Sequence, residues 1–292
     1  MMVLACSGFL SLAGSRAVAQ NAPPADVPPS SYRQANDPAY EAGPQGGNTG
    51  GVHLDFTFRY MTDYVYRGID FSETGGSEDA PTFQFDTCAR FDLGKAPSPY
   101  IGVFANVYNS DPISRFQEIR PFIGAEWDIR PLTIDGGLNS YIYPEREELN
   151  TAELYIEFQF DDSYWLKTIK PILSPYIFSA YDFDSYKAWY FELGVEHELE
   201  IEETGLGVRA FADVTYVLNY ELYAAEAGGY DSGFQHYDVG LTVFYDLTDA
   251  LSIPPRYGTW MVEGYVVYTD NIEDDMLAET QLWGGAGLRF QY

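Results

Sequence analysis

The last thirteen residues, TQLWGGAGLRFQY (residues 280–292), have the pattern of a β-strand with one apolar face. The alternate positions from Leu282 to Tyr292 are apolar or small, whereas the positions between them, which include Arg289, are largely polar or small. A period of two indicates a strand, because successive side chains point to opposite faces. A final strand that ends on an aromatic ring is typical of a closed membrane barrel, in which the last strand pairs with the first.

The same alternation fills the chain upstream. From Gly51 onward we distinguish twelve alternating segments separated by turn residues, of which residues 152–160 form the clearest. Their lengths suit tilted strands that cross a bilayer, which takes about 9–11 residues. A soluble sandwich or a small-ligand barrel also alternates, but an even series of long segments favours a barrel with lipid outside and water inside.

We therefore predict an all-β fold over residues 52–292, a closed up-and-down antiparallel transmembrane β-barrel of about 12 strands. Closure makes a specific prediction, because the two terminal strands must meet. Residues 281–292 should pair antiparallel with residues 52–60, and Arg289 should point into the lumen near acids of neighbouring strands.

Composition limits the classes of function. Aromatic residues make up 17% of the 292 residues, with 25 Tyr and 19 Phe, and such rings suit a membrane interface. No run of about 18 apolar residues is present, so no spanning helix is predicted. The net charge of −28 argues against a nucleic-acid partner, whose phosphates need Lys and Arg. It indicates either an acidic surface that aids solubility or a field that attracts cations.

Two segments precede the predicted barrel. Residues 1–19 contain an apolar run followed by Ala17, Val18 and Ala19, an A-x-A cleavage signal, and are predicted to be a signal peptide. Residues 20–51 are rich in Pro, Gly, Asn and Ser and lack periodicity, so they are predicted to be a disordered periplasmic linker.

The stretch YMTDYVYRGID (residues 60–70) resembles the motif that ends the first strand in the TorF-type porin family of Gram-negative outer membranes. Residues 62–69 match it, including Asp63, Tyr64, Arg67 and Gly68, and the residues that follow depart from it. The resemblance implies an outer-membrane β-barrel of about this size with a channel role, and it specifies no substrate.

The chain end is similar to the assembly signal of outer-membrane barrels, in which a Gly precedes two hydrophobic or aromatic residues. Gly287, Phe290 and Tyr292 fit this pattern, although Gly285 stands where a polar residue is usual. The similarity implies that the partners are outer-membrane lipid and the barrel assembly machinery, in the outer membrane of a Gram-negative-type bacterium.

The polar faces of the predicted strands carry many acids, and their bases are all arginines. Arginine suits buried pairs because its planar fork binds carboxylates through two hydrogen bonds. These side chains either brace and fill the lumen or form a pore that favours cations. The predicted lumen-lining residues are Asp55, Arg59, Asp86, Arg90, Glu118, Arg120, Glu126, Glu153, Glu157, Glu192, Glu196, Arg209, Asp213, Asp238 and Arg289.

Function is predicted to be passive diffusion of small polar solutes, with a preference for cations. A structural or adhesion barrel with a sealed lumen is the first alternative. A lipid-modifying or proteolytic enzyme is the second, and it would need a histidine such as His197 on the lipid side, or His236 with Asp238 at the outer rim. No catalytic residue, cofactor or metal site is predicted, since the three histidines (His53 is the third) are scattered along the chain.

Overall fold

The computed structural model describes residues 51–72, 81–108, 117–144, 146–168, 170–201, 204–220, 224 and 231–292. The predicted signal peptide over residues 1–19 lies outside the described residues, and so does the predicted linker over residues 20–51, apart from Gly51. Among the described residues, no helix is both long enough and apolar enough to cross a membrane.

Within the described residues, twelve long strands close into one antiparallel barrel, and two short strands form a separate hairpin. Each barrel strand pairs with its neighbours along the chain, so the barrel is up-and-down, as predicted. The barrel strands are β1 Val52–Met61, β4 Thr82–Phe91, β5 Ser98–Tyr108, β6 Glu118–Ile129, β7 Leu132–Tyr141, β8 Thr151–Phe160, β9 Tyr176–Asp182, β10 Trp189–Ile201, β11 Leu206–Leu218, β12 Gly233–Asp246, β13 Thr259–Asn271 and β14 Gln281–Gln291. The separate hairpin consists of β2 Val65–Tyr66 and β3 Ile69–Asp70.

The first and last strands close the barrel. β14 pairs antiparallel with β1 in a register that runs from Asp55 opposite Gln291 to Met61 opposite Gly285. The pairing extends to the end of the chain, because Leu54 and Tyr292 exchange two backbone hydrogen bonds of 2.7 and 2.8 Å. The predicted pairing of the terminal strands is confirmed.

Buried and exposed side chains alternate along the strands, as a barrel with a filled interior requires. The outward face is apolar over its middle and carries aromatic residues near both rims. We call the end of the barrel where β1 leads into β2 the hairpin end. The aromatic belt at this end consists of Tyr60, Phe83, Tyr181, Trp189, Phe234, Tyr237 and Tyr268. We call the opposite end, near Val52, the terminal end. The aromatic belt at this end consists of Trp127, Phe160, Trp165, Tyr257, Trp260, Phe290 and Tyr292.

The connections at the terminal end include the tight turn between β6 and β7 and two short helices, α1 (Ser163–Leu166) and α2 (Leu247–Ala250). Of two 3-10 turns, Glu147–Leu149 lies between β7 and β8, and Pro255–Tyr257 follows α2 in the connection between β12 and β13. The seventh of the twelve alternating segments in the sequence spans residues 171–181, but β9 begins only at Tyr176. Pro171 and Pro175 lack the N–H group that a paired strand donates, which explains the later start.

The largest difference from the predicted fold concerns the motif at residues 60–70. The sequence reading placed it at the end of the first strand, but β1 ends at Met61 and the motif forms the β2–β3 hairpin. Both strands of the hairpin are buried, so it folds into the barrel instead of extending its wall.

Candidate functional site in the barrel lumen

The structure places all fifteen predicted lumen-lining residues on the inward face, and each is no more than 6% exposed. This placement follows from the alternation, because charged residues occupy every second position of strands whose other positions face outward. Of the predicted motif residues, Asp63 and Tyr64 lie just before β2, and Arg67 and Gly68 form the turn between β2 and β3. The interior therefore combines strand side chains with the hairpin.

The hairpin turns at Arg67 and Gly68, whose φ angles are +50° and +76°. Two central residues with positive φ are the mark of a type I′ turn, the commonest way to join two strands with a two-residue loop. Glycine adopts this conformation without strain, but arginine does not. Interactions of the Arg67 side chain must offset the conformational cost at that position.

Three residues of the barrel interior surround the Arg67 guanidinium. Its Nη2 atom donates to Oε2 of Glu153 at 2.8 Å, and its Nη1 atom donates to the hydroxyl of Tyr220 at 3.4 Å. The ring of Tyr190 lies 4.1 Å from the guanidinium carbon, a short cation–π contact. The guanidinium therefore meets a carboxylate, a phenol hydroxyl and an aromatic face together.

The backbone of the turn is also held. Nε2 of Gln235 donates to the Arg67 carbonyl at 2.6 Å, and the Glu279 amide donates to the Gly68 carbonyl at 2.8 Å. A register shift between β11 and β12 leaves Gln235 and His236, adjacent residues, both buried. Such a bulge re-aims side chains, and in this barrel it turns both toward the hairpin tip.

The base of the hairpin packs into an aromatic cluster at the hairpin end. Tyr64 donates its hydroxyl to Glu118, and Glu118 lies 3.4 Å from Nε of Arg120. The Arg120 guanidinium in turn lies 4.5 Å from the centre of the Phe104 ring. The cluster also contains Tyr66, Ile69, Phe71, Tyr141, Tyr143, Tyr155, Tyr176, Phe178, Tyr190 and Tyr220.

Further ion pairs toward the terminal end join inward side chains of strands that are adjacent or separated by one strand. Arg59 on β1 donates to Glu263 on β13 at 2.6 Å, which links two strands that are not neighbours. Arg209 donates two hydrogen bonds to one oxygen of Glu198, at 2.7 and 3.0 Å. Other pairs at this end include Arg90 with Glu126 at 3.4 Å and Arg289 with Asp55 at 3.8 Å.

Tyrosines bind the carboxylates in the middle of the lumen. The hydroxyl of Tyr100 donates to Asp135 at 2.8 Å, and that of Tyr176 donates to Glu192 at 2.8 Å. Gly194 makes room for the Tyr176 ring, because a Cβ at that position would overlap it. The sequence patterns pointed to the charged inward residues but not to these tyrosines, whose apolar bodies resemble outward residues.

Acids outnumber arginines on the inward face. Thirteen buried carboxylates lie on the described barrel strands, against five buried arginines on the same strands and a sixth, Arg67, in the hairpin. Six arginines cannot neutralise thirteen ionised carboxylates. The inward face of the described strands therefore carries more acids than arginines.

Water has little access to the inward side chains in this conformation. Arg120 and Asp238 are fully buried, and Glu153 is 1% exposed. In a wide aqueous pore such residues would be exposed to solvent. The lumen is therefore filled by its own side chains and by the hairpin.

The three histidines lie on three different strands, His53 on β1, His197 on β10 and His236 on β12. His197 lies on the outward face, where its Nδ1 atom is 2.7 Å from the carbonyl of Ile172. His236 is buried under Gly68, with Nδ1 2.9 Å from the Thr215 hydroxyl and Nε2 3.8 Å from Asp238. The Thr215 hydroxyl also lies 3.1 Å from the His236 carbonyl, so it links β11 to β12. No group of three or more His, Cys, Asp or Glu residues in the described ranges could hold a metal ion.

Comparison with known proteins finds likeness in shape. No match was found among curated proteins. The KdgM porin is 8% identical, with a TM-score of 0.47 over 82% of this chain and 99% of that chain. The NanC porin is 10% identical, with a TM-score of 0.48 over 81% and 98% of the two chains. An outer membrane channel from Pseudomonas putida F1 is 7% identical, with a TM-score of 0.45 over 86% and 98%.

At such identities the likeness describes architecture and assigns no solute or activity to this chain. The TorF-type resemblance stays a prediction. A family model described as "Bacterial protein of unknown function (Gcw_chp)" matches residues 45–257, which is most of the chain, and the chain belongs to that family.

Proposed function

We propose that the protein is an outer-membrane channel for small polar solutes, that it favours cations, and that its resting lumen is closed by the β2–β3 hairpin. One observation carries the proposal: a closed barrel has an apolar outward face and an inward face on which acids outnumber arginines. A core of ion pairs is seldom more stable than an apolar one of similar volume. A charged interior is therefore better explained by passage of polar solutes than by stability.

The outward face supports a membrane location. Its two aromatic belts flank a middle band that includes Ile123, Ile156, Leu193 and Leu241, all more than 40% exposed. Aromatic girdles at both rims of an apolar band are characteristic of transmembrane barrels, because rings with polar edges favour the lipid–water interface. The predicted outer-membrane lipid partner and the assembly machinery are part of the same proposal.

The closed lumen favours a second candidate, a structural barrel that conducts nothing. The observation behind it is the near-complete burial of Arg120, Glu153 and Asp238. The two candidates differ in whether the hairpin leaves the lumen. If it does, the space it occupies becomes an aqueous path lined by carboxylates.

Purified protein in a planar lipid bilayer distinguishes the candidates. Under a potassium chloride gradient, we expect discrete openings whose reversal potential has the sign of a cation-selective channel. The preference should weaken as the salt concentration rises, because mobile ions screen the carboxylates. A reversal potential of the opposite sign would contradict the proposed selectivity, and complete absence of openings would favour the sealed barrel.

A further inference from the structure

The groups that hold Arg67 form a site that belongs to the barrel wall. Glu153 lies on β8, Tyr190 lies on β10, and Tyr220 follows β11. They present a carboxylate oxygen at 2.8 Å, an aromatic face at 4.1 Å and a hydroxyl at 3.4 Å to one guanidinium group. This combination suits an organic cation with a planar, delocalised charge.

The wall orients these groups independently of the hairpin. Oε1 of Glu153 accepts hydrogen bonds from Nδ2 of Asn139 at 3.0 Å and from the hydroxyl of Tyr141 at 2.5 Å, both on neighbouring β7. The hydroxyl of Tyr190 donates to Glu192 at 3.2 Å. The carboxylate and the ring would therefore keep their places if Arg67 left, and Oε2 of Glu153 would face the vacated space.

The hairpin is a weakly built element. Its two strands have two residues each, and a two-stranded hairpin is at best marginally stable on its own. An arginine at a position with a φ of +50° adds conformational cost. Three kinds of contact offset these costs: the buried packing of the hairpin's apolar side chains, the contacts of the Arg67 guanidinium, and the hydrogen bonds to the turn carbonyls.

We propose that Glu153, Tyr190 and Tyr220 form a binding site for guanidinium-type organic cations, and that Arg67 occupies it as an intramolecular ligand that a free cation displaces. The proposal rests on the channel function proposed above and names its class of solute. Cation binding and hairpin release are thermodynamically coupled, because a cation that binds only the vacated site shifts the equilibrium toward the released hairpin.

Calorimetry on the Arg67→Ala variant in detergent micelles tests the site itself. We expect methylguanidinium to bind this variant, and methylurea, which has a similar shape but no charge, to give no measurable binding. The double variant Arg67→Ala/Glu153→Gln should lose most of the affinity. Arg146→Ala removes an arginine from an exposed ion pair with Glu148 and should create no site.

Hydrogen exchange of the wild-type protein tests displacement and needs no substitution. The Glu279 amide donates to the Gly68 carbonyl and reports on docking of the hairpin, whereas the Phe71 amide donates to the Tyr64 carbonyl and reports on pairing within it. Because a two-stranded hairpin is marginally stable on its own, both amides should lose protection when the hairpin leaves the lumen. At a methylguanidinium concentration of ten times the Kd measured on the Arg67→Ala variant, their exchange should become about elevenfold faster, since the opening equilibrium grows by 1 + [L]/Kd. The amides of β11 should be unaffected.

The outcomes separate this proposal from the channel function. Equal effects of methylguanidinium and methylurea, or unchanged exchange in the wild type, would overturn the guanidinium site even if the protein conducts. Selective acceleration by methylguanidinium in a protein that never conducts would support the site and reject the channel.

Discussion

At the scale of single residues, Arg67 and Gly68 determine where the hairpin lies. The positive φ of Gly68 allows the turn, and the missing Cβ allows the tip to approach His236, since an added Cβ would lie 2.7 Å from its Nδ1 atom. Arg67 then reaches Glu153 on the opposite side of the lumen. The position of the hairpin therefore depends on the backbone of Gly68 and on the side chain of Arg67.

Replacing Gly68 by Ala should loosen the hairpin. A left-handed alanine costs about 1–2 kcal/mol, and contact with the His236 ring adds to that cost. We expect faster amide exchange at Phe71 and Glu279, with the barrel still folded. Gly94→Ala is the matched control, because Gly94 has a φ of +73° but no atom within 4 Å of the added Cβ. If both variants leave hairpin exchange unchanged, contact at Gly68 does not hold the tip.

At the scale of elements, the barrel strands could be predicted and the hairpin could not. A strand of ten residues alternates often enough to reveal its period, and residues 152–160 of β8 were placed correctly on that ground. The two-residue strands β2 and β3 are too short to show any period. Their position depends on Glu153, Gln235 and Glu279, which are distant in sequence.

The candidate site, too, could be predicted only in part from the sequence. Alternation identifies which charged residues face inward, because neighbouring positions on a strand face opposite sides. It does not identify partners, since those depend on strand stagger and on side-chain reach across the lumen. Only the closed barrel reveals contacts such as the ion pair of Arg59 with Glu263 and the cation–π contact of Arg67 with Tyr190.

Removal of the hairpin should open the lumen. We expect replacement of residues 64–71 by a Gly–Ser linker of equal length to increase the conductance of the protein in a planar bilayer, because the inserted hairpin is gone and inward carboxylates become solvated. The matched control replaces residues 183–187, a described connection at the same end. Equal, negligible conductance of both variants would indicate that strand side chains alone seal the barrel.

At the scale of the whole molecule, closure depends on the last strand. β14 pairs with β13 on one side and β1 on the other, so its residues complete the ring. On its outward face Phe290 contacts Trp260 with ring centres 4.6 Å apart, and Tyr292 completes the backbone pairing through Leu54. The chain end therefore pairs through its backbone, whereas recognition of its aromatic side chains by the assembly machinery stays a prediction, and the two roles can be tested separately.

Tyr292→Ala separates these roles. The substitution keeps both backbone hydrogen bonds to Leu54, and the Tyr292 side chain is already 43% exposed, so refolding of purified protein into detergent should be nearly unchanged. If Gly287, Phe290 and Tyr292 act as an assembly signal, the amount of folded barrel in the outer membrane of cells should fall several-fold. Leu282→Ala is the control, because Leu282 is 70% exposed on the same strand but lies at its hairpin end. Equal losses for both variants in cells would mean that outward apolar area, not a terminal signal, governs assembly.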